Sequence, residues 1–282
     1  MRPVHPEARN RNAQFFRGLA RACGGAVIFA LPLMMTMEMW WLGFHMDPLR
    51  LFVLLVVFFP FLVALSWHSG FEPTFSWRDD VVDALVAYAV GFFVSLAVLL
   101  LLREIGADTP LREAMGKVTL QAVPASMGAL LAQSQFGQAE GDEGARQPRG
   151  GSGGYASDLF IMAVGALFLA FNLSPTDEMS MIAAHIDEWH AVVLVLVSLA
   201  VMEVFVYGLA FRGTVPRPRH APNWSLFLRF TVTGYALVLL LSAYVLWTFG
   251  RLDGLGLLPA VKTIAVLGFP AAVGAAAARL IL

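Results

Sequence analysis

Residues 25–39 read GAVIFALPLMMTMEM, and residues 165–179, 140 positions further on, read GALFLAFNLSPTDEM. Seven of the fifteen pairs are identical, among them Thr36/Thr176, Glu38/Glu178 and Met39/Met179. Apolar helices match one another through Ala and Leu alone, so the polar identities carry the weight. The same shift, without a gap, places His45 on His185 and Asp47 on Asp187. A shift of 147 aligns Trp77 with Trp224, Tyr88 with Tyr235 and Ser95 with Ser242, and a shift of 146 brings Pro124 onto Pro270 and Gly128 onto Gly274. Self-similarity at a fixed spacing is the signature of an internal duplication.

The surroundings of this stretch set the class of protein. Of 282 residues, 58% are hydrophobic and 14% charged, with a mean hydropathy of +0.70. Soluble domains average about 45–50% apolar and about 25% charged residues, so this composition excludes a soluble globular enzyme and a disordered chain. A net charge of −1 with no basic block speaks against nucleic-acid binding. One cysteine, Cys23, excludes a disulfide framework and a thiolate metal cage. No phosphate loop, nucleophile elbow, HExxH or dinucleotide fingerprint occurs, and no enzyme activity is expected. The apolar run Leu19–Trp41 is too long for the core of a cleaved signal peptide.

A bilayer span takes about 20 mainly apolar residues. Eight windows approach this: 19–42, 50–68, 80–102, 114–134, 156–174, 190–211, 226–249 and 259–281. The fourth is interrupted by Lys117, Gln121, Pro124 and Ser126, and reads as a buried span or a re-entrant segment. With the N-terminus inside, the inner loops hold thirteen Arg and the outer ones six Arg or Lys. That asymmetry places both termini in the cytoplasm. The expected fold is all-α: eight transmembrane helices as two parallel four-helix repeats, residues 1–134 and 156–282. They are joined by a Gly- and charge-rich cytoplasmic linker at 135–155. Four spans per repeat give both halves the same orientation, related by an axis along the membrane normal.

The stretch Leu31–Gly43 (LPLMMTMEMWWLG), together with the eight-span layout, resembles a family of bacterial integral membrane proteins catalogued as a domain of unknown function. The resemblance extends over the whole chain. It implies a multi-pass protein of the bacterial inner membrane, and it carries no activity.

The residues that could do chemistry cluster on the outer side. Glu38 precedes Trp40 and Trp41, and paired Trp marks the interface; Glu178 takes the matching place beside Asp177. A carboxylate at that depth needs water, an ion or a partner. Thr36 and Thr176 add hydroxyl oxygens, while Pro32, Asn172 and Pro175 would loosen the helices and free carbonyl oxygens. Such oxygens suit hard cations: Ca²⁺, Na⁺, K⁺, Mg²⁺ or Mn²⁺. The structural alternative is that each Glu caps a helix or pairs with Arg50 or Arg103. His45 with Asp47, and His185 with Asp187, read either as helix caps or as metal- or pH-sensing pairs. Glu203, deep in the sixth window, reads as a relay group or as an ion-pair partner of Arg229.

The resulting expectation is a cation channel or channel-like cation transport protein whose outer acidic site comes from the repeated Thr-x-Glu-Met motif. Its partners would be the lipid bilayer and inorganic cations, in a monomer or a homodimer, with no cofactor beyond a bound cation. The alternatives are a secondary transporter with alternating access between repeats, and a non-transporting membrane pH or metal sensor.

Overall fold

The computed structural model describes residues 6–69, 77–136, 155–205, 224 and 227–281. The linker expected at 135–155 falls almost wholly outside these residues. The described residues are helical, without strands, and the chain divides into two compact units, Met1–Arg149 and Gly150–Leu282.

The first unit runs α1 (Pro6–Met34), α2 (Met37–His45), α3 (Pro48–Ser69), α4 (Trp77–Leu101) and α5 (Leu111–Phe136). Helix α5 is its centre and packs against all four others. Residues 120–132 are buried on every side, which explains the polar interruptions of the fourth window. A helix enclosed by protein does not need lipid-compatible side chains all round. It is one continuous helix of 26 residues, about 39 Å at about 1.5 Å per residue, and not a re-entrant turn.

The second unit has a comparable order among its described residues. It runs α6 (Tyr155–Leu173), α7 (Glu178–His185) and α8 (Glu188–Glu203), then a π-helical turn (Phe227–Val232) leading into α9 (Thr233–Thr248), and α10 (Leu257–Ile281). Helix α10 packs against α6, α7, α8 and α9, as α5 does against its own four.

In each unit the first and last helices meet backbone to backbone. A methyl group added at Gly25 would overlap the carbonyl of Gly128, and one at Gly165 the carbonyl of Gly274. Small residues let helix backbones touch, and in lipid such packing supplies most of the attraction between helices. Gly25/Gly165 and Gly128/Gly274 are also the positions that the sequence shifts align. The ends of α4 and α9 correspond as well. Arg103 (φ 60°) and Gly250 (φ 74°) turn left-handed. The next amide, of Glu104 or Arg251, then donates to the carbonyl of Leu99 or Leu246 at 3.0 and 2.9 Å, so both helices stop with the same hydrogen-bonded C-cap.

Among the described residues, six helices are long and apolar enough to cross a membrane: α1 from Phe16, α3, α4, α6, the π turn with α9, and α10. Helices α7 and α8 meet the same length and hydropathy test only as a pair, bent by 119° at their junction. Alone, α8 has 16 residues, about 24 Å. The window expected at 19–42 is not one helix: the chain breaks between Met34 and Met37.

Candidate functional site

The break after α1 is built by the side chain at its centre. Thr36 is extended (φ −96°, ψ 131°). Its amide and its hydroxyl both donate to the carbonyl of Leu33, at 3.1 and 2.8 Å. Trp40 then reaches back, its indole N–H donating to the carbonyl of Met34 at 2.6 Å. Pro32 lies within the last turn of α1. Met39, 1% exposed, anchors α2 in the core.

The break after α6 is closed in the same way. The amide and hydroxyl of Thr176 donate to the carbonyl of Leu173 at 3.2 and 2.9 Å, and Met179 is buried. Asn172 donates its side-chain amide to the carbonyl of Phe168 at 2.7 Å. One element is added. Arg251, in the turn after α9, pairs with Asp177 and donates to the carbonyl of Pro175.

This changes the expected roles. The carbonyl oxygens of Leu33, Met34, Phe168, Leu173 and Pro175 accept bonds from side chains of their own unit. The hydroxyls of Thr36 and Thr176 donate into the breaks, and Asp177 is neutralised by Arg251. Glu38 and Glu178 stand apart. Each lies in the first turn of a short helix, where a carboxylate complements the helix dipole. Neither makes a hydrogen bond or ion pair among the described residues, so the alternative in which Glu38 pairs with Arg50 or Arg103 is not formed. Glu38 is half-buried and Glu178 exposed.

The His-x-Asp pairs serve local structure. Asp47 caps α3, accepting from the amides of Leu49 and Arg50 at 2.7 and 3.3 Å. Asp187 caps α8 through the amide of His190 at 2.8 Å, and the His190 ring adds a 2.6 Å contact. The backbone hydrogen bond from His190, with the ring beside it, holds the Asp187 carboxyl below its ordinary range. The rings of His45 and His185 lie 3.2 and 2.7 Å from the carbonyls of Trp41 and Met181, one turn earlier. Among the described residues, no three His, Cys, Asp or Glu side chains are grouped so as to hold a metal ion.

Glu203 ends α8 and accepts from the Thr231 hydroxyl at 2.6 Å, in place of the expected bond to Arg229. The guanidinium of Arg229 lies instead over the Tyr155 ring, 4.7 Å from its centroid.

Two features escaped the sequence reading. Lys117, 7% exposed, meets Glu113 at 2.9 Å and Glu104 at 3.6 Å; its four-residue spacing from Glu113 was the signal. The hydroxyls of Ser95 and Ser242, matched by the shift of 147, are buried without a partner among the described residues, as are both amide atoms of Gln121. An isolated Ser or Gln in an apolar window gives no sign of this.

The geometry is thus that of a polytopic helical membrane protein with two matching breaks. A family model described as "putative integral membrane protein" (DUF2391) matches residues 18–282. The chain belongs to the DUF2391 family. The match takes in both breaks and every helix from α2 to α10. Comparison with curated proteins and with solved structures returned no match.

Proposed function

We propose that this DUF2391 protein moves small inorganic cations across the bacterial inner membrane. In this reading it has eight spans in two parallel repeats, with both termini cytoplasmic. The carrying observation is the pair Glu38 and Glu178: matched in sequence, each in the first turn after a helix break, each without a partner among the described residues of its own unit. Three neighbouring acids are committed elsewhere, Asp177 to Arg251 and Asp47 and Asp187 to caps. An unpaired carboxylate at interface depth raises the local concentration of cations, and acidic side chains are common cation filters. Helix breaks that recur between repeats are a feature of transport proteins. The breaks position the acids, while Thr36 and Thr176 hold the breaks.

The experiment is ion flux through purified protein in liposomes, with K⁺, Na⁺, Ca²⁺ and Mn²⁺ at two pH values. Flux in the wild type that falls at least tenfold in Glu38→Gln/Glu178→Gln supports the reading. Equal flux in both proteins removes the Glu pair from the pathway, and no flux in either removes transport.

A second reading, alternating access coupled to protons, draws on Glu203. Its bond to Thr231 lies in a π-helical turn, a geometry frequent at functional sites. Glu203→Gln should then abolish the pH dependence of uptake while leaving downhill flux; full coupling in that variant would count against it.

A further inference from the structure

Where the polypeptide enters the span of the π turn and α9, one guanidinium has no acid beside it among the described residues. Arg229 is exposed and is fixed from two directions. Its guanidinium carbon lies 4.7 Å from the Tyr155 ring and 5.9 Å from that of Phe230. Its carbonyl accepts from the Tyr155 hydroxyl at 2.7 Å, and the two rings meet edge to face at 5.3 Å.

Two described carboxylates of this unit, Asp158 and Glu203, are committed to other groups. Asp158 takes Arg279 at 3.5 Å, and Arg279 itself lies over Phe230 at 4.6 Å. Glu203 accepts from Thr231. Arg229 makes no ion pair among the described residues. Five residues earlier in the chain, Trp224 is 70% exposed and stacks on Phe227 at 6.0 Å, and Leu228, the residue before Arg229, is exposed. Exposed Trp and Leu around a surplus cation at the end of a span are the composition of the headgroup layer.

We propose that Arg229 binds the phosphate of an anionic phospholipid. Its planar guanidinium can give two parallel hydrogen bonds to a phosphate, and the Tyr155 ring supports its other face. A net negative headgroup supplies the charge that the described residues leave uncompensated. In zwitterionic phosphatidylcholine the choline cancels that charge. Ion conduction plays no part in this assignment, so it stands or falls independently of the transport reading.

The test is lipid binding to the full chain in detergent, by native mass spectrometry and by the shift of the unfolding midpoint. Phosphatidylglycerol is compared with phosphatidylcholine. The wild type should prefer phosphatidylglycerol by about fivefold, the factor for roughly 1 kcal/mol per arginine near an anionic surface. Arg229→Gln should remove the preference, and Arg229→Lys should keep only part of it. Equal binding of the two lipids by the wild type, or an undiminished preference in Arg229→Gln, would overturn the site. If Arg229→Gln does not fold, Arg229→Lys decides, since an undiminished preference there rules out a guanidinium-specific contact.

Discussion

Gly25 of α1 and Gly128 of α5 meet backbone to backbone, with no room for a methyl group between them. The neighbouring Gly24 faces open space, with nothing within 4 Å of an added Cβ. One position therefore tests packing and the next tests helix propensity. Gly25→Val should destabilise the protein by about 1–3 kcal/mol through overpacking. Gly24→Ala should stabilise it by up to about 1 kcal/mol, because Ala is the better helix former. Thermal unfolding in detergent reads both. Equal effects at the two positions would mean that the close approach is not formed. The same loss is expected for Gly165→Val, whose methyl groups would strike Gly274.

Arg103 and Gly250 occupy the same left-handed C-cap in the two units, yet only glycine adopts that backbone without penalty. A left-handed conformation costs a residue with Cβ about 1–2 kcal/mol. Arg103→Gly should raise stability by roughly 0.5–1 kcal/mol once the greater unfolded-chain entropy of glycine is deducted. Gly250→Ala should lower it by about 1 kcal/mol. The two unfolding midpoints should move in opposite directions; a shift in the same direction would refute the shared cap.

These cases show what was legible in the sequence. Long apolar windows predict spans because lipid exposure is a property of composition, and α3, α4, α6, α9 and α10 lie where those windows fall. The break at Thr36 was invisible to the same test, since hydropathy sums side chains and does not see that a hydroxyl and an amide share one carbonyl. Thr36 and Thr176 looked like cation ligands because an oxygen's partner is not written in the sequence. That Asp177 faces Arg251, 74 positions away, is a tertiary fact. Asp47 and Asp187 were readable as caps because capping is local, and local geometry follows from neighbouring residues.

Arg251 bridges Asp177 and the carbonyl of Pro175, so its two partners differ in what their loss should do. The Asp177 side chain is 71% exposed and that of Arg251 only 19%. Removing an exposed acid forfeits little, and Asp177→Ala should cost about 1 kcal/mol or less. Removing the guanidinium also strips Pro175 of its donor, and Arg251→Ala should cost about 1.5–3 kcal/mol. Hydrogen exchange across α7 should rise in the second variant and barely in the first. The reverse order would show that the acid, and not the carbonyl, holds the break.

Asp187 makes the N-terminus of α8 acid-sensitive. The amide of His190 favours the ionised cap, which lowers the carboxyl from its ordinary value of 3.8. The cap therefore contributes fully above that value and is lost as pH falls through the lower, folded one. Amide protection at His190 should persist at pH 5 and disappear only in stronger acid, below the ordinary carboxylate range. Asp187→Asn, which keeps an oxygen acceptor, should retain protection independently of pH. Loss of protection already between pH 6 and 7 would assign the transition to a histidine instead.

Lys117 holds two carboxylates, Glu113 and Glu104, and also donates to the Glu104 carbonyl at 3.1 Å. Its ammonium is almost fully enclosed, whereas the two acids remain about a quarter exposed, at 24% and 25%. Lys117→Met preserves the buried stem but leaves two acids facing each other with no cation between them. Removing one member of a buried charge group costs roughly 3–5 kcal/mol. The partial exposure of the acids places this variant near the lower end. If repulsion between the stranded acids is the cause, adding Glu104→Gln and Glu113→Gln to Lys117→Met should recover most of the loss. If the lysine acts mainly by holding the Glu104 carbonyl, the triple variant should stay as unstable as the single one. Unfolding midpoints of the two proteins in the same detergent separate these causes.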